Sequence, residues 1–400
     1  MDYESAKLDD YSGDSGIGRG SLDIPFLLIT LLLLTIGVVM VLSASFARAY
    51  YSPDEGATYY FTRQLTFAVI GVAAMYIASR FPIGFYRHFA GVILLASLAL
   101  LLLVLVGGTR ANGARRWFTI GGITFQPSEI AKIGVILFEA QLICRFRGRM
   151  KTFRYGVLPF AVVVVLVVGL LVLEPHLSAS VIIIGITAIM MFVGGTRLIW
   201  FALGGGIVAG AGFVAVKVLA YSSDRISAWL DPFADMSDTG FQIVQSLYSI
   251  GSGGLSGLGL GQSRQKYLYL PEEHNDFIFS IVCEELGFIG ATLILLLFAL
   301  LVIRGYWLAI HCRDRYSFLV CIGITSLLAI QVILNVSVVT NLVPCTGISL
   351  PFFSYGGTAL LLQLAEMGIV LSISRDIPEK KIIREKRVER PRPAEQGGSI

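Results

Sequence analysis

Residues 267–287 read YLYLPEEHNDFIFSIVCEELG. Glu272, Glu273, His274 and Asp276 run directly into Phe277, Ile278 and Phe279, where an apolar stretch begins that continues to about residue 303. An ionisable side chain entering lipid is costly, so it is usually kept for a function. The order of residues therefore implies a membrane-spanning helix from about 277, with a carboxylate at its water–membrane boundary. Leu270-Pro271 stops any preceding helix, and Asn275 or Asp276 is placed to cap the one that follows. Glu284 lies eight residues beyond Asp276, about two turns, so the two faces partly overlap. Glu284 and Glu285 cannot both face lipid, so at least one should point into the protein.

The rest of the chain has the same character. It is 55% hydrophobic and 14% charged over 400 residues, against roughly 25% charged for an ordinary soluble domain. Apolar runs near the ~20 residues a span requires recur along it. We expect an all-α polytopic membrane protein with about ten transmembrane helices. They fall near 24–44, 65–79, 89–107, 127–144, 157–173, 177–194, 198–220, 277–303, 317–341 and 354–374. Residues 1–23 form a polar tail, 24–374 the membrane domain, and 375–400 a basic tail containing KKIIREKRVERPRP. The first apolar run is too long for a cleavable signal peptide.

Arg80 and Arg87, the cluster Arg145 to Arg154, Arg197, and Arg304 to Arg315 alternate onto one side with the basic tail. That side is cytoplasmic by the positive-inside rule, which puts both termini inside. Because the cations sit at span ends, the net charge of +4 reports topology and not nucleic-acid binding. Five scattered cysteines without CxxC, and four dispersed histidines, give no metal spacing.

The outer side breaks the charge bias, with Arg110, Arg115 and Arg116 in one loop and Arg225, Arg264 and Lys266 in another. The latter, about 221–276 between the seventh and eighth spans, is the only long loop. It contains GSGGLSGLGLGQS at 251–263. This run is either a flexible linker or a close-packed, re-entrant segment with backbone amides near an anion. No strand precedes it and no GKS or GKT follows, so it is not a nucleotide-phosphate loop.

Two further segments carry chemistry. In NGARRWFTIGGITFQPSEIAK, 112–132, Pro127 suits a first helical turn and Glu129 the positive helix end. Glu129 and Lys132, three apart, share a helix face and can pair. The pair could merely cap the span; so near lipid, it more often faces a polar cavity. In NLVPCTGISLPFFSYGG, 341–357, Pro344, Pro351 and three glycines interrupt an apolar stretch. Irregular backbone at such depth needs protein or a water-filled cavity around it. A tight turn would explain the glycines, but not the accompanying Thr346, Ser354 and Tyr355.

In this order, NGARRW with FQPSEIAK, then LPEEHNDFIFSIVCEELG, then LVPCTGISLPFFSYGG resemble the SEDS family, the shape, elongation, division and sporulation proteins of the bacterial envelope. The third segment looks more like the division and sporulation branches than the elongation branch. LEPHLSAS at 173–180 departs from the QPDxG run of many members. The resemblance implies a glycosyltransferase of the bacterial cytoplasmic membrane. It would join lipid II units into peptidoglycan on the outer face, releasing undecaprenyl diphosphate. The family's essential aspartate falls on Asp276, and its paired glutamate and lysine on Glu129 and Lys132. The family also implies a class B penicillin-binding transpeptidase and other division proteins as partners.

The chemistry asks for the same residues. A sugar hydroxyl attacking an anomeric carbon needs a base, and desolvation can raise a boundary carboxylate toward a useful pKa. Asp276 is the candidate. An α-linked donor and a β-linked product imply one inverting displacement. A departing diphosphate needs cations more than an acid; Arg115, Arg116, Lys132 and Lys266 are on the expected side. Glu129, Glu284 and Ser354 complete the expected substrate-binding set. The spacing requires no cofactor, and a divalent ion bridging diphosphate and carboxylate is compatible with it. A lipid II flippase is the alternative; its mark would be ionisable groups in mid-span and on both faces. A non-catalytic scaffold would leave Asp276 unexplained.

Overall fold

The structure is a computed structural model that describes residues 20–51, 56–111, 114–121, 123–218, 220–236 and 240–377. The expected polar tail up to residue 19 and the basic tail from 378 lie outside the described residues, as do Asn112 and Gly113. The elements in order are α1 (Ile24–Tyr51), α2 (Tyr59–Arg80), α3 (Ile83–Gly107), β1 (Thr109–Ala111), β2 (Ala114–Ile120), β3 (Ile123–Phe125), α4 (Pro127–Arg145), α5 (Phe153–Gly156), α6 (Leu158–Leu173), α7 (Leu177–Gly194), α8 (Leu198–Val218), α9 (Ala220–Leu230), α10 (Phe241–Ser252), α11 (Ile278–Ile310), α12 (Arg315–Val339) and α13 (Gly357–Ser374).

Among the described residues, eight helical stretches are long and apolar enough to cross a membrane: α1, α2, α3, α5 with α6, α7, α11, α12 and α13. This is a multi-pass membrane protein. The two other expected spans coincide with α4 and α8. Helix α4 carries Glu129, Lys132, Glu139 and Arg145, and the apolar part of α8, Leu198–Gly210, is short. Helix α2 begins at Tyr59, ahead of the expected 65, and within it Thr62 and Thr66 return their hydroxyls to the carbonyls of Thr58 and Thr62. Such bonds satisfy the polar group inside the helix.

A three-stranded antiparallel sheet, β1-β2-β3, joins α3 to α4. It departs from a purely helical expectation. Ile120 pairs with Ile123 across Gly121-Gly122, a glycine pair between apolar residues that signals a hairpin. Thr358 Oγ1 donates to Thr124 O at 2.8 Å and fixes the sheet to α13.

The long loop expected at about 221–276 is structured in its described residues. It contains α9 and α10, and α10 buries Ile243, Val244, Ser246 and Ser249. Ser246 Oγ lies 2.7 Å from Ser280 Oγ on α11 and donates to Val339 O on α12. The glycine-rich run is the close-packed alternative: Leu258 and Gly259 amides donate to Glu284 O and Glu285 O, and Phe288 N to Gly254 O. A Cβ at Gly257 would stand 2.2 Å from Glu285 O, so only glycine permits this approach. The anions that its neighbouring amides meet are the chain's own. Glu284 accepts from Arg264 N and Gln265 N, and Glu285 from Ser263 N.

Candidate active site

Asp276 lies in the turn that feeds α11. The helix is capped by Phe277 with no side-chain hydrogen bond, so the Asp276 carboxylate is not spent as a cap. Its backbone is pinned. Asn335 on α12 donates from Nδ2 to Asp276 O at 2.8 Å and to Ile348 O at 2.7 Å. Ser354 Oγ donates to Asn275 O at 2.8 Å and accepts from Leu350 N at 2.7 Å. Tyr355 N donates to His274 O at 2.9 Å. The segments 272–276 and 346–356 are thereby stitched into one unit. Gly347 has φ 70°, and a Cβ there would sit 3.0 Å from Asp276 Oδ2. The carboxylate rests where only a glycine leaves it room.

Arg48 at the end of α1 holds the turn from the other side, donating to both Glu273 oxygens at 2.8 and 2.9 Å. Burial alone would raise the Glu273 pKa; the His274 ring and the Arg48 guanidinium outweigh it and hold the carboxyl below its ordinary value. Tyr60 on α2 meets His274 in a tilted contact and Tyr355 edge-to-face, with ring centroids 4.8 and 5.0 Å away.

A cavity of about 370 Å³ opens beside Asp276. Its walls come from elements far apart in sequence: Arg116 on β2, Glu129 and Lys132 on α4, His176 at the start of α7, Gln331 on α12 and Ser354 before α13. Lys132 Nζ lies 2.7 Å from Glu129 Oε2, with 3% and 12% of their side chains exposed. The two therefore form a nearly dry ion pair facing the cavity. Arg116 Nε donates to Glu174 O at 3.1 Å, and its Nη2 to Pro175 O. Ser178 Oγ donates to Thr346 O, tying α7 to the 341–357 segment.

Burial, then the Glu272 charge, pushes Asp276 up to about 6, against the pull of Arg225, His274 and Arg116. Burial likewise raises Glu174 to about 8, opposed by Arg116. His176 goes the other way, down to about 3, through burial and the repulsion of Arg116 and Lys132. The cavity thus combines a carboxylate poised to accept a proton with two cations suited to a polyanion.

Asp276, Arg116, Glu129, Lys132 and Ser354 come together at this cavity; three expected residues do not. Arg115 donates to Leu105 O and Val106 O and closes the C-terminal end of α3. Lys266 is 2% exposed, 3.0 Å from Glu285, and donates to Gly261 O. Glu284 faces away from the cavity, into the loop ahead of α11, accepting from Ser249 and Ser263 hydroxyls at 3.1 and 2.5 Å. All three are consumed inside the fold. His176, Glu174, Gln331 and Asn335 were not foreseen as site residues. The departure at LEPHLSAS and a lone Asn within an apolar span were their available signals. Among the described residues, no group of three or more His, Cys, Asp or Glu side chains is arranged to hold a metal ion.

The profile of the FtsW, RodA and SpoVE family, described as cell cycle protein, matches residues 24–378. Stage V sporulation protein E of Bacillus subtilis (strain 168) is 43% identical over 360 residues, 89% of this chain and 98% of that protein. The probable peptidoglycan glycosyltransferase FtsW of Trichlorobacter lovleyi is 42% identical over 356 residues, 88% of this chain and 93% of that one. Among solved structures, a chain described under "Structural coordination of polymerization and crosslinking by a peptidoglycan synthase complex" superposes with a TM-score of 0.73. It is 30% identical and covers 89% of this chain and 98% of its own. The three segments around the cavity are those on which the resemblance was drawn, and the match extends over the whole membrane domain: the chain belongs to the FtsW, RodA and SpoVE family of cell cycle proteins.

Proposed function

We propose that this chain is a peptidoglycan glycosyltransferase that polymerises lipid II on the outer face of the bacterial cytoplasmic membrane, with both termini in the cytoplasm. The observation that carries the proposal is the buried Asp276 carboxylate, raised to about 6, beside a cavity that also holds Arg116 and the Glu129–Lys132 pair. Asp276 takes the proton of the acceptor sugar hydroxyl as that oxygen bonds the anomeric carbon of the donor. The bond from that carbon to the lipid diphosphate breaks, and undecaprenyl diphosphate leaves with the electron pair. Inversion at the carbon follows from the single displacement. Lys132 and Arg116 meet the charge developing on the diphosphate in a partly dry site, where preorganised cations act strongly. Glu129 pairs with Lys132 at 2.7 Å and orients it.

The relatives' names support this chemistry, and the synthase-complex neighbour supports a crosslinking partner. We assign a class B penicillin-binding transpeptidase to that role, alongside other division proteins. Lipid II translocation has support of its own in Glu139 on α4 and Glu366 on α13, both buried within helices. It gives Asp276 no task. The test is incubation of the purified protein with lipid II in detergent, where no membrane separates two sides. Glycan polymer on a gel is the expected result. Absence of polymer, with lipid II transfer across vesicles containing the protein, would overturn the proposal in favour of translocation.

A further inference from the structure

His176 opens α7 and forms part of the cavity wall. Gln126 Nε2 lies 3.4 Å from its Nε2. With the amide nitrogen donating, the imidazole accepts at Nε2 and carries its proton on Nδ1. Nδ1 is buried and has no hydrogen-bond partner within the protein. Buried donors are almost always paired, and an unpaired one on a residue that lines a cavity points to a ligand acceptor. The charged groups that line the cavity with it are Arg116 on β2, Glu129 and Lys132 on α4, and Glu272 and Asp276 ahead of α11; Glu174 lies two residues before it. Burial first, then the repulsion of Arg116 and Lys132, holds the ring neutral, so it offers a proton in a hydrogen bond without adding charge.

We propose that His176 is a substrate-binding residue whose Nδ1–H donates to a phosphate oxygen of the lipid diphosphate, next to Lys132 and Arg116. The oxygen accepts one bond that neither cation supplies, and the ring fixes its direction. A neutral donor also leaves the cavity able to release the product, because it adds direction without a third charge to hold the diphosphate. This rests on the polymerase reading given above. It places a residue of the LEPHLSAS segment, where the chain departs from its family's usual run, at the leaving group.

Binding of undecaprenyl diphosphate and of undecaprenol to the full-length purified protein tests it. Wild type should prefer the diphosphate. His176→Leu should weaken diphosphate binding tenfold or more, leave undecaprenol binding unchanged, and change Tm little, since one unpaired buried donor is removed while Gln126 loses its acceptor. His176→Asn, whose amide nitrogen can stand near Nδ1, should stay within threefold of wild type. Should His176→Leu fail to fold, His176→Gln replaces it; its amide reaches toward the Nε2 position instead, and the same tenfold loss is expected. Unchanged diphosphate affinity in the Leu or Gln variant overturns the His176 assignment alone. Equal binding of the two lipids by wild type overturns the diphosphate reading of the cavity, and this inference with it.

Discussion

Replacing Gly347 with alanine should damage catalysis through one contact. The residue has φ 70°, and a non-glycine residue in that left-handed region costs roughly 1–2 kcal/mol. Its Cβ would stand 3.0 Å from Asp276 Oδ2, tighter than ordinary contact, so the carboxylate must retreat by a few tenths of an ångström. The backbones on both sides cannot slide to absorb this, because Asn335 holds Asp276 O and Ile348 O together at 2.8 and 2.7 Å. The shift therefore falls on the Asp276 side chain. A misplacement of about 1 Å can cost around 10²-fold in rate, so a partial one should lower kcat by roughly tenfold, with KM for lipid II little changed. Gly254→Ala is the control. Gly254 has φ 55°, and a Cβ there meets nothing within 4 Å, so the backbone cost is similar and Asp276 is untouched. Lipid II polymerisation and thermal unfolding are measured on both variants. A wild-type kcat in Gly347→Ala, or an equal kcat loss in Gly254→Ala, would refute the reasoning.

As the proposed base Asp276 acts deprotonated, and burial sets it at about 6 in the free protein, so kcat/KM for lipid II should fall tenfold per pH unit below about 6 and level off above; an acid limb centred near 4 would contradict a buried base. Lys132→Ala strands the Glu129 carboxylate, and removing one partner of a buried pair costs about 3–5 kcal/mol. The Tm should drop sharply, whereas Glu129→Gln with Lys132→Met should recover much of it and remain inactive; recovered polymerisation in the double variant would exclude Lys132 from the diphosphate. Lys266→Met with Glu285→Gln removes another buried pair, away from the cavity, and should keep polymerisation within about threefold, since its charges meet protein groups and no substrate.

Much of this site was legible because its signals are local. The i, i+3 spacing of Glu129 and Lys132 dictates a shared helix face, and they are 2.7 Å apart. The prolines and glycines of 341–357 marked irregular backbone, and that segment frames the cavity. Where periodicity names a face, it does not say what covers it. Glu284 lies about two turns beyond Asp276, yet its carboxylate is claimed by Ser249, Ser263 and the amides of Arg264 and Gln265. Lys266 bears the right charge for a diphosphate, but Glu285 and Ser43, 223 positions away, enclose it. Contacts at such separation leave no periodic trace in one sequence. The hairpin at 114–125 was hidden differently: its strands are short, and the charges on either side of its turn, Arg115, Arg116, Glu129 and Lys132, drew a catalytic reading. Eight of the ten expected spans coincide with helices long and apolar enough to cross a membrane, since lipid imposes length and composition on each helix separately.

The account stands on Asp276 as the base. Asp276→Asn preserves size and the backbone bond from Asn335 while removing the proton acceptor, and general bases contribute typically 10²–10⁴-fold. Initial rates of lipid II polymerisation by purified wild type and Asp276→Asn, at saturating lipid II and at pH 7.5, measure the difference directly. The expected result is a loss of at least 10²-fold in the variant, with lipid II binding and Tm close to wild type. A correctly folded Asp276→Asn protein that polymerises lipid II at near the wild-type rate would contradict it.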